Sequence, residues 1–380
     1  MTAGVQSLTA GQSKVLQEFR QFAETEIVPF AGGWDRAGRL PRSVITAMAE
    51  AGHLGALVPV EYSGSASSLV DFGLLNEAIG YGCSSVRSVL TVHSMVSQAV
   101  TRWGSAAQRR HWLPRLAGGR WVGAFALSEP DAGSDAGRIA TTATPDGAHY
   151  VLDGTKKWIT YGQAADVFLV FAAIGGRFSA FLVERDTPGL TVAALDDMLG
   201  TRASMLAQLY FDGCRVPRDA LLGRPGFGLA AVAGAALDFG RYSVAWGAVG
   251  LAQACLESSL RYASQRKQFG VPIAEHQLIQ RLLTDMATTV SASRLLCLQA
   301  GELKDTGHPD ALAAVWMAKY FASTAASRAA TDTVQIHGAR GCDPAGPAQR
   351  FFRDAKVMEI IEGSTQIQQT MIAQLVLQAA

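Results

Sequence analysis

Glu362 carries the most suggestive chemistry in this chain. It stands in the run RDAKVMEIIEGSTQIQ (residues 353–368), after two isoleucines and before Gly363. Gly363 can take backbone angles that other residues avoid, so the run reads as two helices divided by a sharp break. Ser364 or Thr365 can cap the second helix, whose free N–H groups favour a nearby anion. A carboxylate on such a break, beside apolar side chains, is disfavoured as an anion and titrates high. That suits a general base taking a weakly acidic proton near neutral pH. The same run is compatible with a helix that ends at Gly363 and leaves Glu362 in solvent. The two readings differ in whether Glu362 faces a cavity.

Holding such a group requires a folded frame, and the composition supplies one. The 380 residues can bury a large core in two or three compact units. Apolar residues make up 49% and charged residues 17%, the balance of a folded chain. With 33 Lys+Arg against 32 Asp+Glu, the net charge of +1 gives no case for nucleic acid as a partner. The five cysteines are scattered without a CxxC pair, which predicts reduced thiols in a cytoplasm, no disulfide framework and no metal site. No signal peptide, membrane span, internal repeat or low-complexity segment is expected.

Residues 10 to about 120 read as helical. Apolar spacing predicts a helix over 13–27, and Pro41 opens another, with Val44, Ile45, Met48 and Leu54 as its buried stripe. Residues 78–128 hold no acid but carry Arg87, Arg102, Arg109, Arg110, Arg115 and Arg120. They suit either a solvated helical face or a docking surface for a phosphate or an acidic protein. From Trp121 the texture turns to strands. Asp153-Gly154 between two strand-like runs predicts a two-residue hairpin turn. Further strands are expected at 167–173, 180–183 and 208–211. A long helical pattern from Gly228 to about Tyr262 fits a bundle helix. The expected architecture is α+β and mainly helical: a helical domain (1–121), an antiparallel β domain (122–223) and a helical bundle carrying Glu362 (224–380). GxGxxG after a strand, HExxH, GxSxG and a P-loop are all lacking, so nothing supports a Rossmann, zinc-protease, serine-hydrolase or P-loop enzyme.

Six motifs stand in order along nearly the whole chain: LSEPDAGSD (127–135), GTKKWIT (154–160), Arg241 at the start of the long helix, RKQFG (266–270), QIHG (335–338), and RDAK (353–356) with Glu362 and Gly363. In these the chain resembles the acyl-CoA dehydrogenase family of flavoproteins. The resemblance implies a helical domain, a β domain and a four-helix bundle, with FAD as cofactor. It implies proton removal next to a thioester carbonyl and hydride transfer to flavin N5, the flavin supplying the electron chemistry. Glu362 would be the base. In some relatives the base precedes the arginine of the long helix, where this chain has Gly240; Glu359 reads as a surface acid.

By the same resemblance Leu127 and Ser128 would hold the flavin pyrimidine, and Trp158 and Thr160 would lie against the ring near N5. Ser134 would sit near the diphosphates of cofactor and thioester. Arg266, Phe269, Gln335 and Gly338 would grip FAD from a neighbouring subunit, and Ser364 and Gln366 would belong to the base-bearing loop. Ser134, Arg241 and Gly363 would contact substrate. A homodimer or homotetramer follows from shared cofactor sites. The substrate would be an acyl thioester on an acyl carrier protein or on CoA, with a separate electron acceptor.

Departures from the family pattern are Glu61-Tyr-Ser-Gly64, the thinned glycines Gly338-Ala-Arg-Gly341, and Gln374 in place of an arginine. Trp246, on the substrate helix, would either shorten the pocket or pack in the core. The stretches around Cys83, Gly240 and Met358 look most like dehydrogenases that act on hydroxymalonyl- or methoxymalonyl-type extender units of polyketide pathways, bound to a carrier protein. The alternatives are a short- or branched-chain acyl-CoA dehydrogenase of catabolism and, in another class, a non-catalytic flavin-binding or scaffold protein.

Overall fold

A computed structural model describes residues 8–379. The first part is helical: α1 (Ala10–Glu26), α2 (Ala31–Ala37), α3 (Arg42–Glu50), α4 (Leu69–Gly82), α5 (Ser84–Trp103) and α6 (Ala106–Ala117). Thr9 and Ser105 open α1 and α6 with capping boxes. Each hydroxyl accepts from the backbone N–H of the glutamine three residues on, and that glutamine's side chain accepts from the cap's N–H. Two donors that a helix start leaves unpaired are thus satisfied at each end.

Strands β1 (Gly123–Ala126), β2 (Thr142–Asp146), β3 (His149–Ile159), β4 (Val167–Ile174), β5 (Arg177–Glu184), β6 (Leu190–Ala194), β7 (Ala207–Pro217) and β8 (Leu221–Leu222) form one sheet. Its order is β6-β7-β3-β2-β4-β5-β8, with β1 beside β4. Most pairings are antiparallel, but β1 and β2 run parallel to β4, so the expected antiparallel layer is a mixed sheet. The expected hairpin at Asp153-Gly154 does not form. Strand β3 runs through that pair, and Gly154 (φ 144°) sits in a bulge where β3 slips register against β7. The reversal falls at the preceding Asp-Gly instead: Asp146 pairs with His149, and the chain turns over Gly147 (φ 56°) and Ala148.

A π-helical turn (Gly228–Ala233) leads into α7 (Gly234–Gln265), a helix of 32 residues. A ribbon of β9 (Lys267–Gln268) and β10 (Val271–Pro272) precedes α8 (Gln277–Asp305), α9 (Ala311–His337), α10 (Ala348–Ile360) and α11 (Thr365–Ala379). Helix α7 packs against α4, α5, α8 and α9, which explains how so long and apolar a helix is covered. Trp246 belongs to this core. It is fully buried edge-on to Tyr242, and a side chain on Gly73 would collide with its indole.

One apolar cluster unites the helices with one sheet face. A second, including Met95, Trp112, Phe125 and Leu169, joins α5 and α6 to the other. Between them a cleft opens where α5, α7, the loop after β1, the end of β3 and the α10–α11 break converge. Among the described residues no helix is long and apolar enough to cross a membrane.

Candidate active site

The break between α10 and α11 is made by two consecutive left-handed residues, Glu362 (φ 56°) and Gly363 (φ 94°). Glycine accepts such angles freely, whereas a non-glycine residue there costs on the order of 1–3 kcal/mol, so its surroundings must hold it. The Lys319 ammonium donates to the Gly363 carbonyl at 2.7 Å. Gln368 Nε2 donates to the carbonyls of Glu362 (3.2 Å) and Gly363 (3.1 Å). Ser364 Oγ caps α11 by accepting from the Ile367 N–H at 3.4 Å. Helix α10 is anchored from behind. Arg353 donates to Asp35 and to the Leu199 carbonyl, each at 3.1 Å, and Asp354 accepts from the Thr201 N–H at 2.6 Å.

Glu362 is not in open solvent. Its carboxylate faces a cavity of about 450 Å³, and Oε2 is buried without a hydrogen-bond partner. Burial pushes its pKa up to about 7, against the opposing pull of Arg241, Lys319 and Arg87. Gly240 leaves the space the carboxylate fills, since a Cβ there would overlap Oε2. Glu359, one turn earlier, is outside the cavity lining and pairs with Lys356.

The cavity also gathers Leu127, Ser128, Ser134, Trp158, Thr160, Arg241, Gly363 and Ser364, all singled out from the sequence. Gln366 is exposed and does not line it. The segments carrying Leu127 and Trp158 are locked together by a buried ion pair. Lys156 Nζ donates to Glu129 Oε1 at 2.7 Å and to the Leu127 carbonyl at 3.0 Å. Glu129 also accepts from the Thr141 N–H at 3.0 Å and the Ala140 N–H at 2.6 Å, so its charge is well compensated.

Arg266, Phe269, Gln335 and Gly338 lie apart from Glu362. Arg266 and Gly338 border a separate hollow of about 310 Å³ at the C-terminal end of α7, with Tyr262 stacked on His337 beside it. Gln335 is exposed, and Phe269 is 94% exposed on the β9–β10 turn.

Three cations near the carboxylate were not all legible. Arg241 was; its guanidinium stacks 4.0 Å over Trp316, and its Nε has no hydrogen-bond partner among the described residues. Arg87 corrects the sequence reading that grouped it with a surface of arginines: it is buried in α5 and lines the cavity. Its stem fits because Gly247 across the interface has no side chain. Its guanidinium donates to Thr91 Oγ1 and Ser88 Oγ, each at 3.0 Å, and contacts Met358 Sδ, while Nε is unpaired. Burial pushes its pKa down to about 10. Lys319 carried no sequence signal. Of the remaining arginines, Arg102, Arg110 and Arg120 are exposed, and Arg109 and Arg115 are half-buried.

The residues present suit a flat, ring-bearing cofactor. Trp158 is 48% exposed at the cavity, held at φ 65°, with Phe125, Leu127 and Ile159 beside it as an apolar floor. The hydroxyls of Ser128, Ser134 and Thr160 have no hydrogen-bond partner among the described residues and are available to a ligand.

Helical, β and helical layers meet over this slot. Family models for the acyl-CoA dehydrogenase N-terminal, middle and C-terminal domains match residues 9–120, 124–214 and 226–377. The chain belongs to the acyl-CoA dehydrogenase family, and its cofactor is FAD. It is 40% identical over 363 residues to the mitochondrial short-chain specific acyl-CoA dehydrogenase of Rattus norvegicus, covering 94% of this chain and 88% of that protein. A glutaryl-CoA dehydrogenase of Mycobacterium smegmatis in complex with FADH2 superposes with a TM-score of 0.92 at 30% identity, over 97% of this chain and 95% of the other. FkbI, described for biosynthesis of the methoxymalonyl extender unit of the Fk520 polyketide, superposes with a TM-score of 0.88 at 34% identity, over 95% and 99%.

Proposed function

We propose that this enzyme oxidises short acyl thioesters whose acyl group ends in an anionic or polar oxygen, with Glu362 as the base. The observation that carries the substrate class is Arg87. A buried guanidinium served only by two hydroxyls and a thioether is costly, and a carboxylate entering the cavity would compensate it. An enzyme for plain saturated chains would gain more from an apolar residue there. The relative named for short-chain thioesters supports the length of the acyl group, and the one named for glutaryl supports its terminal carboxylate.

When bound, FAD supplies the hydride acceptor. The chain's own part begins with binding: Arg87 fixes the far end of the acyl group, and Arg241 and the break backbone border its path. Glu362 then takes the proton from the carbon next to the thioester carbonyl. The neighbouring carbon loses a hydride, and the single bond between them becomes double. Leu127, Ser128, Trp158 and Thr160 hold the cofactor ring, and Arg266, Phe269, Gln335 and Gly338 serve the cofactor of a neighbouring subunit in a dimer-based assembly. Gly240→Ala should crowd the base out of position and slow flavin reduction by about 10²-fold with FAD content unchanged, as expected for a displacement of about an ångström. Stopped-flow reduction of the FAD-loaded variant checks this.

A carrier-protein thioester is the second reading. The likeness to FkbI and the exposed Arg102, Arg110 and Arg120 favour it, since a basic surface speeds encounter with an acidic carrier. Anaerobic flavin bleaching with butyryl, glutaryl and hydroxyacyl groups, each on CoA and on a carrier protein, tests both. The proposal expects the carboxylate- or hydroxyl-bearing groups to bleach faster than butyryl; the reverse order would overturn it. Faster bleaching by carrier-bound groups than by their CoA counterparts selects the second reading.

A further inference from the structure

Lys319 sits on α9 with no exposed surface. Burying an ammonium costs several kcal/mol, and one backbone carbonyl at 2.7 Å offsets only part of that. Among the described residues the lysine forms no hydrogen bond or ion pair with Glu362, whose Oε2 has no hydrogen-bond partner there. It grips the peptide just beyond the base, from behind the cavity wall, and is not among the residues that line the cavity. The charged groups that act on Glu362 come from three helices: Arg87 on α5, Arg241 on α7 and Lys319 on α9. Lys319 also senses Glu359 on α10. Arg87 and Arg241 line the space a substrate occupies, so their effect on the base changes when it binds. Lys319 alone of the three acts from a place substrate does not reach.

We propose that Lys319 is a positioning residue of the base. Together with Gln368, whose amide also donates to the Glu362 and Gly363 carbonyls, it holds Glu362 in its left-handed backbone, and its charge, beside those of Arg241 and Arg87, lowers the pH at which the carboxylate ionises. This rests on the reading of Glu362 as the base. Burial brings Lys319 down to about 8, while Glu362 draws it back up.

The test uses FAD-loaded Lys319→Met, Lys319→Gln and Glu362→Gln beside the parent enzyme. Two readouts are followed against pH: the anaerobic flavin-reduction rate, and the Glu362 carboxyl band in difference infrared spectra, identified by its loss in Glu362→Gln. Loss of the cation should move both midpoints upward by about one unit or more in both lysine variants. The glutamine amide, one bond shorter, keeps a donor directed at Gly363, so Lys319→Gln should lose less plateau rate than Lys319→Met. Lys319→Met should lose at least about tenfold in plateau rate through misplacement of the base. Unmoved midpoints in both variants would overturn the proposal, and if Lys319→Met fails to fold, Lys319→Gln decides alone. Parent-like reduction by Glu362→Gln would instead remove the reading of the base, whatever the lysine variants do.

Discussion

Glu362→Gln keeps its FAD and loses substrate-driven flavin reduction by about 10²–10⁴-fold, the usual contribution of a positioned base. The substitution is nearly isosteric, so the cavity and the residues around the cofactor slot are retained. What it removes is a carboxylate poised to ionise near neutral pH, with an oxygen that no protein group occupies. Thioester affinity should change little, because the loss lies in the transition state and not in ground-state binding. Single-turnover reduction and equilibrium binding of a non-oxidisable thioester separate the two quantities.

Arg87→Met should divide substrates by their far ends. Leaving a bound carboxylate without its buried cation costs about 2–5 kcal/mol, so kcat/KM for a glutaryl-type thioester should fall by about 30-fold to several thousand-fold. A butyryl thioester loses no such partner and should fall much less, or rise as the site becomes apolar. Removing Arg87 also takes away one of the cations that hold Glu362 down, an effect common to both substrates. The ratio of the two kcat/KM values, and not either alone, is therefore the measurement. Equal losses on both would assign Arg87 to stability or to the base, and would withdraw the substrate class proposed here.

What could be read from the chain follows the range of the forces involved. Gly363 after Glu362 announces a helix break because left-handed geometry is a local property, and the break is there. Whether Glu362 faced solvent or a cavity was not local. It depends on Gly240, far away in sequence, leaving the space. The hairpin was misplaced because Asp146-Gly147 and Asp153-Gly154 satisfy the same local rule. Pairing of β3 with β7 along its length makes the second a bulge and leaves the first to turn. Arg87 was grouped with its neighbours by charge, yet it lies in the first turn of α5, packed across at Gly247, whereas Arg102 ends that helix in solvent and the others follow on α6 and the loop after it. Lys319, a single lysine in an alanine-rich helix, acquires meaning only when α9 meets the α10–α11 break.

The most direct test is the pH dependence of anaerobic flavin reduction in the parent enzyme and in Glu362→Gln, measured in single turnovers with one saturating thioester. A base whose pKa is raised to about 7 works only when ionised, so the parent rate should climb through neutral pH and level off above it. The variant should show a low rate without that rise. A variant that keeps both the rate and the inflection would mean that another group takes the proton, and the assignment of Glu362 would fall.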